Sequence, residues 1–460
     1  MLTPTLTSAR PTLCDETRHH ELRRTRMHMI DAALVTNLRS CEAGRSARVN
    51  SAGYWGLASA PGLGGADGDA SLLTQAGRNA RVLARFGARA PLALAEPGAL
   101  AHPVQALYGK PALSAAECAE RLALLQAHCR ARYPGLRSSR WLLGDEQHVK
   151  RLRTSAGTES VSVIQRAVLA FTLVAEADDG APVELVEHLS CKGSVADLDL
   201  SLATLAPLIE QLHQHLQAKR HAVPVRGGER TVVLAGSLAG MLAHEAMGHP
   251  CEADLVLAGA VTGGLQGQTV ASDLVSMVDL AHHYQGQELM VPVYVDDEGM
   301  PAQDAVLIDC GRLTQFMHSR ETAARLGQAA TGSARAYGPA DEPLVRMRNT
   351  AILPGSSTLA QMIEGVDDGV LLLKTGNGQA DSTSEFMFGV NLAYEIRGGR
   401  LGAALRDTTV SGSALSVLRS VDAVGDQMNW DCSGYCGKKQ LMVVSMGGPA
   451  LRARAQLGGR

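Results

Sequence analysis

Ala243-His244-Glu245-Ala246-Met247-Gly248-His249-Pro250-Cys251-Glu252-Ala253-Asp254 is the stretch around which the chain is organised. A glutamate directly follows the first of two histidines. Two neutral imidazoles can hold a metal ion, and a carboxylate beside them can take a proton from water activated there. The spacing is not the common one. In His-Glu-x-x-His the rings are four residues apart, and four helical steps of about 100° leave them about 40° apart on one face. Here they are five residues apart, and five steps on a straight α-helix splay them by about 140°. Both reach one metal only if the helix widens, as at a π-bulge, or unwinds at Gly248. Pro250 then blocks regular continuation. A bare His-Glu-x-x-x-His also occurs in helices that bind nothing, so a third ligand must be sought elsewhere.

That ligand is offered far downstream, in Asp431-Cys432-Ser433-Gly434-Tyr435-Cys436-Gly437-Lys438-Lys439. A thiolate is a good zinc ligand, and two histidines with one cysteine leave a fourth position for water. Lys438 and Lys439 would favour the thiolate electrostatically. A buried structural cysteine is the plainer alternative. The residues alone do not choose between Cys432 and Cys436.

Composition narrows the class. The 460 residues are 45% hydrophobic and 19% charged, an ordinary globular balance with room for two cores. Aromatics are scarce at 3%, so Leu, Val, Ala and Ile must fill those cores. A formal net charge of −3 supplies no basic field for nucleic acid. No apolar run reaches the roughly 18 residues of a membrane span, and Arg10, Arg18, Arg23 and Arg24 precede no signal-like apolar core. Nine scattered cysteines suit a reducing compartment. The expectation is a cytoplasmic protein that engages neither nucleic acid nor membrane.

The pattern of elements predicts an α+β fold. Residues 1–45 read as a poorly defined N-terminal arm, with the run from Arg18 to His28 a frayed helix or disordered. Residues 46–224 read as an N-terminal α/β domain with helices packed on a sheet. Its expected parts are a hairpin around Ala52-Gly53 and a helix from Ser71 to Phe86. A second helix is capped by Ser114 and Glu117, and a third, from Asp197 to Arg220, should kink or break at Pro207. Short strands are expected at 140–143, 161–166 and 168–175. Residues 225–460 read as a β-rich domain carrying the His244 helix. Leu289–Val295 is expected to pair with Ala305–Ile308 across Asp296-Asp297-Glu298-Gly299. Phe386, Phe388, Val390, Leu392, Tyr394 and Ile396 alternate as a half-buried strand, turning at Gly398-Gly399, and Gln440–Ser445 reads as the last strand.

With these motifs in place, the chain resembles the TldD/PmbA family of zinc metallopeptidases, in its active TldD-like branch. The matching residues are His244 to His249 with Glu252; Asp296 to Gly299 with Pro301-Ala302-Gln303; Thr331-Gly332; Met347-Arg348-Asn349-Thr350; Leu353-Pro354-Gly355; Glu385-Phe386; and Cys436-Gly437-Lys438. Pro250 stands where the family usually has glycine, and Cys251 is atypical. The resemblance implies zinc held by His244, His249 and Cys436, with Glu245 as the catalytic base. It also implies extended peptide substrates held as an added strand. The expected partner is a metal-free TldE/PmbA-like paralogue in a heterodimer, or a second copy in a homodimer. Gly437 would let the backbone turn and present the Cys436 sulfur. The function expected is a zinc-dependent peptidase for extended or unfolded peptides, trimming of a precursor peptide included. The alternative is a non-catalytic scaffold subunit, against which Glu245 speaks, since a structural site needs no base. His318 and Tyr337 are weaker candidates for oxyanion contacts. Asp296, Asp297 and Glu298 read as a tight acidic turn before a divalent-cation cluster, and His282-His283 as a solvated loop.

Overall fold

The computed structural model of the chain describes residues 14–87, 89, 92–97, 101–102, 110 and 112–459. Residues 1–13 of the expected arm lie outside the described residues. The rest of that arm is neither helical nor disordered. Strand β1 (Cys14–Ile30) is flanked on both sides, by β2 (Ala33–Ser51) and by β4 (Ser138–Thr154). Strand β3 (Tyr54–Pro61), packed against helix α1 (Ala66–Leu83), closes one side, and β5 (Glu159–Glu176) and β6 (Pro182–Lys192) extend the other. All of these pairings are antiparallel. The correction has a physical cause. Glu16, Arg18 and His20 alternate in burial as core residues of a strand do, but they are polar, so no hydrophobic alternation marks them. Their partners come from other segments: Arg48 and Arg320 for Glu16, the carbonyls of residues 338 and 341 for Arg18, and His148 for His20. Arg320 Nη1 donates to Glu16 at 2.9 Å, and Arg18 Nη2 donates to the Asp341 carbonyl at 2.6 Å.

Strand β4 explains a second misreading. Ser139, Trp141 and Leu143 are buried on one face; past Gly144 and Asp145 the buried set becomes Glu146, His148 and Lys150, on the other. The first set packs beneath helices α2 (Ala115–Arg132) and α3 (Leu202–Arg220), with Leu122, Leu125, Phe171, Ile209 and Leu212. The second faces residues 296–337 and the loop at 432–436. The phase of the period-two pattern therefore switches within one strand, and only its apolar first part was legible. The segments 161–166 and 168–175 likewise join in the single strand β5. Helix α3 runs through Pro207 as one element. The capping box of Ser114 and Glu117 forms at the start of α2.

The second part holds a ring of strands. β7 (Gly228–Leu234) pairs with β8 (Asp368–Ala380) in parallel and with β12 (Leu451–Leu457) antiparallel. β9 (Glu385–Arg397) returns through Gly398-Gly399 to β10 (Arg400–Leu405), while β11 (Thr408–Ser413) joins β9 to β12. Because β9 also pairs with β8, the ring closes. A six-stranded sheet lies beside it, in the order Arg312–Leu313, Ala305–Asp309, Met277–Leu280, Asn349–Ile352, Ser445–Gly448, Asn429–Asp431. Ala305–Asp309 thus pairs with Met277–Leu280, not with Leu289–Val295 as expected. Residues 440–445 split between a hairpin strand and the next strand, and β12 is the last strand. The mixed architecture is the expected α+β class. No described helix is long and apolar enough to cross a membrane.

The acidic turn joins the two parts. Lys150 donates to Asp297 at 2.6 Å and Arg48 to Glu298 at 3.0 Å, while Asp296 accepts the Glu298 and Met300 amides at 2.9 Å. All three carboxylates are buried and matched by cations or amides of the chain. Partners of this kind let buried carboxylates be tolerated, while burial and the adjacent Glu298 push the Asp296 carboxyl up.

Candidate metal centre

The strained spacing of the histidines is met by a π-helical turn, Leu242–Gly248, which follows a short α-helix (Gly236–Met241). The His249 amide donates to the His244 carbonyl, an i→i−5 bond. Residues five apart thereby lie about one turn apart, and the two rings meet edge to face with centroids 5.1 Å apart. Leu242, Ala243, Ala246 and Met247 are buried and seat the turn against β8 and β9 on one side and Asn349–Ile352 and Ser445–Gly448 on the other. Burial on both sides offsets the weak hydrogen bonding of a π-turn. Gly248 is not where the helix unwinds: its backbone is right-handed helical (φ −61°, ψ −53°). A Cβ there would sit 2.2 Å from the Met347 sulfur, so a larger residue would have to displace that buried side chain. Pro250 opens a 3-10 turn, His249–Cys251, that ends the element.

Cys436 reaches this turn from the hairpin Tyr435–Lys438/Gln440–Val443. Its sulfur lies 3.2 Å from His249 Nε2, and donor atoms of His244, His249 and Cys436 all fall within 4.8 Å of one another. Among the described residues no other such group of His, Cys, Asp and Glu occurs. Burial would raise the Cys436 thiol, but the two imidazoles outweigh it and hold the thiol down at about 5. Burial would likewise lower His249, yet Glu252 and Cys436 keep it well above the usual histidine range. His249 Nδ1 is 2.9 Å from Glu252, which orients the ring and leaves Nε2 toward the sulfur. His244 keeps a buried Nδ1 without a protein partner. Two imidazoles and a readily ionised thiol are donors that could hold a metal ion, and their chemistry fits zinc.

Several sequence expectations change here. Gly437 does not turn the chain: it lies in the strand, and a Cβ there would meet nothing. The turn is made by Lys439, at φ 58°. Lys438 does not serve the thiolate. It binds Asp254 at 2.9 Å and Glu252 at 3.0 Å, tying the hairpin to the histidine segment. Glu252 is fully buried and its carboxyl is held at about 2, because Lys438 and His249 outweigh its desolvation. Its place three residues after His249, on the same helical face, was a signal in the sequence. Arg346, which donates to the Cys436 carbonyl at 2.9 Å, carried none. Cys432 and Cys251 are buried away from the cluster, and burial pushes both thiols up.

His244 and Glu245 open onto a cleft of about 830 Å³. Its walls are Val186–Ser190 of β6, Leu373–Gly378 of β8, and the segments 429–431 and 433–435. Glu245 is half-buried there, 3.9 Å from His249 Nε2. Neither His318 nor Tyr337 lines this cleft. His318 is a buried imidazole hydrogen-bonded to Thr322 at 3.2 Å, and burial pushes it down to about 4. Its native pKa lies below the unfolded value, so the unfolded chain binds an extra proton between about pH 6.5 and 4. Stability from this group is full above that window and declines as pH falls through it, by about 2 kcal/mol at pH 5. Urea unfolding at pH 7 and pH 5 should show the loss in the parental chain and a smaller loss in His318→Leu. Equal losses in both would assign the acid sensitivity elsewhere.

With this geometry established, comparison places the chain among known proteins. The family described as PmbA/TldA metallopeptidase C-terminal domain matches residues 227–458. A Methanothermobacter thermautotrophicus protein named Metalloprotease is 31% identical over 392 residues, 82% of this chain and 84% of that one. A Saccharolobus solfataricus protein named Zinc metalloprotease TldD homolog is 30% identical over 70% of this chain and 71% of its own length. The match to an Archaeoglobus fulgidus metalloprotease is 39% identical but spans only 55% of that protein. Among solved structures, TldE from Thermococcus kodakarensis superposes with a TM-score of 0.72 at 15% identity, covering 96% of both chains. A Thermotoga maritima chain gives 0.75 at 18%, again over 96% of each. At such identities these likenesses concern the fold alone.

Proposed function

The chain belongs to the PmbA/TldD metallopeptidase family, and from that premise we propose that it is a zinc-dependent peptidase acting on extended peptides. In this reading His244, His249 and Cys436 hold the zinc and Glu245 is the general base. The observation that carries it is the convergence of three donor atoms beside Glu245, which with His244 lines a cleft. Zinc bound there would supply Lewis acidity, acidifying water and polarising the scissile carbonyl. Glu245 takes the proton from the attacking water and can return it to the departing amine. Glu252 holds His249 in register, and Lys438 holds Glu252. The substrate backbone can be held by β6. That strand has no partner on its second side among the described residues, and its Val186–Ser190 portion faces the cleft. Unpaired amides and carbonyls on such an edge suit an added strand. One use of the same chemistry is trimming a precursor peptide.

We further propose that the active form is paired with a metal-free paralogue or a second copy. The test is zinc analysis and digestion of a peptide library by the chain purified alone and with a co-expressed paralogue. The expected result is about one zinc per chain and cleavage that requires assembly. Stoichiometric zinc with no cleavage in either preparation would favour the scaffold subunit instead.

A further inference from the structure

The hairpin that brings Cys436 to the histidines is a thin partition. Ser433 and Tyr435 line the 830 Å³ cleft on one side and a second cavity of about 550 Å³ on the other. A loop with open space on both sides is not fixed by packing alone, so something else must hold the sulfur in register. Two residues of the first sheet do so. Glu146 of β4 and Arg166 of β5 are directly opposite cross-strand partners, and both are buried. Arg166 Nη1 donates to the Gly434 carbonyl at 2.7 Å and to the Cys432 carbonyl. Its guanidinium lies over the Tyr435 ring, 4.3 Å from the centroid. The Tyr435 hydroxyl donates to Glu146, whose other oxygen lies 2.6 Å from His148 Nε2. Arg346 grips the far side, donating to the Cys436 and Gln440 carbonyls at 2.9 and 3.0 Å. Cys436 is thus held between two arginines that bind the backbone on either side of it.

We propose that Glu146 and Arg166 are positioning residues that clamp the 432–436 loop through Tyr435, so that the first sheet sets the metal affinity of a site whose ligands all lie in the second part. This rests on the assignment of Cys436 as a zinc ligand. A guanidinium anchored to a rigid sheet supplies charge-assisted bonds to two carbonyls at once, and outer partners of this kind typically tune metal affinity by about 10–100-fold. Freed from the clamp, the loop can relax into the second cavity.

The test compares the parental chain with Arg166→Met and, as a smaller change, Tyr435→Phe. Arg166→Met should bind zinc about 10–100-fold more weakly in chelator competition. The thiolate-to-metal absorption of its cobalt-substituted form should also fall. Arg166→Lys, which restores one cation, should recover part of both. A variant that merely loosens the fold would lower the melting temperature without moving the cobalt spectrum. Unchanged zinc affinity and spectrum in folded Arg166→Met and Tyr435→Phe overturn the proposal. Hydrogen exchange of amides 433–438 in metal-free protein tests the clamp apart from the metal: faster exchange in the variants supports it, and unchanged exchange overturns it. Parental chain that takes up no zinc through Cys436 would instead remove the assignment beneath it.

Discussion

Glu245→Gln is expected to abolish peptide cleavage, lowering kcat by about 10²–10⁴-fold, with zinc content and melting temperature unchanged. The side chain follows His244 in the π-turn, is half-buried, and lines the cleft. The carboxylates of the following segment are already engaged: Glu252 is spent on His249 and Lys438, and Asp254 on Lys438. Glutamine keeps the size of glutamate and can hydrogen-bond to water, but it cannot accept the proton. Loss of cleavage with metal retained would therefore separate proton transfer from metal binding. The measurement is steady-state hydrolysis of a peptide substrate with metal analysis of the same sample. Cleavage near the parental rate would move the base to another residue.

The second large effect concerns the ligands. His244→Ala, His249→Ala and Cys436→Ser should each weaken zinc binding by more than about 100-fold, beyond what loss of an outer partner does. Cys432→Ala and Cys251→Ala should leave zinc binding nearly unchanged. The cysteines differ in surroundings, not in kind. Cys436 lies 3.2 Å from His249 Nε2, and the imidazoles hold its thiol at about 5. Cys432 is 4.0 Å from Arg166, yet burial keeps its thiol raised. Cys251 has no cation to offset its burial. A neutral hydroxyl in place of a thiolate is a poor ligand for a borderline-soft metal. Titrating each variant against a chelator ranks them. Release of zinc by Cys432→Ala with retention by Cys436→Ser would transfer the third position to Cys432.

Much of the site was legible because its signal is local. The five-residue interval between His244 and His249 cannot be served by a regular α-helix, since 100° steps send the rings apart. That arithmetic demanded a widened turn, and the π-helix over Leu242–Gly248 is that turn. The alternation from Phe386 to Ile396 marked β9 for the same reason: a period of two is visible wherever the buried face is apolar. Local chemistry alone misassigned two glycines. Gly248 serves contact with Met347, and the hairpin turns two residues after Gly437, at Lys439.

The sequence by itself determined the distorted histidine helix, the alternating and capped elements, and the donor types available. Residue chemistry left Cys432 and Cys436 open and the family resemblance pointed to Cys436; the tertiary structure brings Cys436 to the histidines, 187 residues along the chain from His249. It alone decided that the polar run Glu16-Thr17-Arg18-His19-His20 is a buried strand, because its partners Arg48, Arg320 and Asp341 come from distant segments. The same holds for β4, whose buried face switches at Gly144–Asp145 from helices to the metal-bearing part. Periodicity is written in neighbours along the chain. The burial of a charge depends on a counter-charge or hydrogen-bond partner brought from elsewhere by the fold, and no local pattern records it.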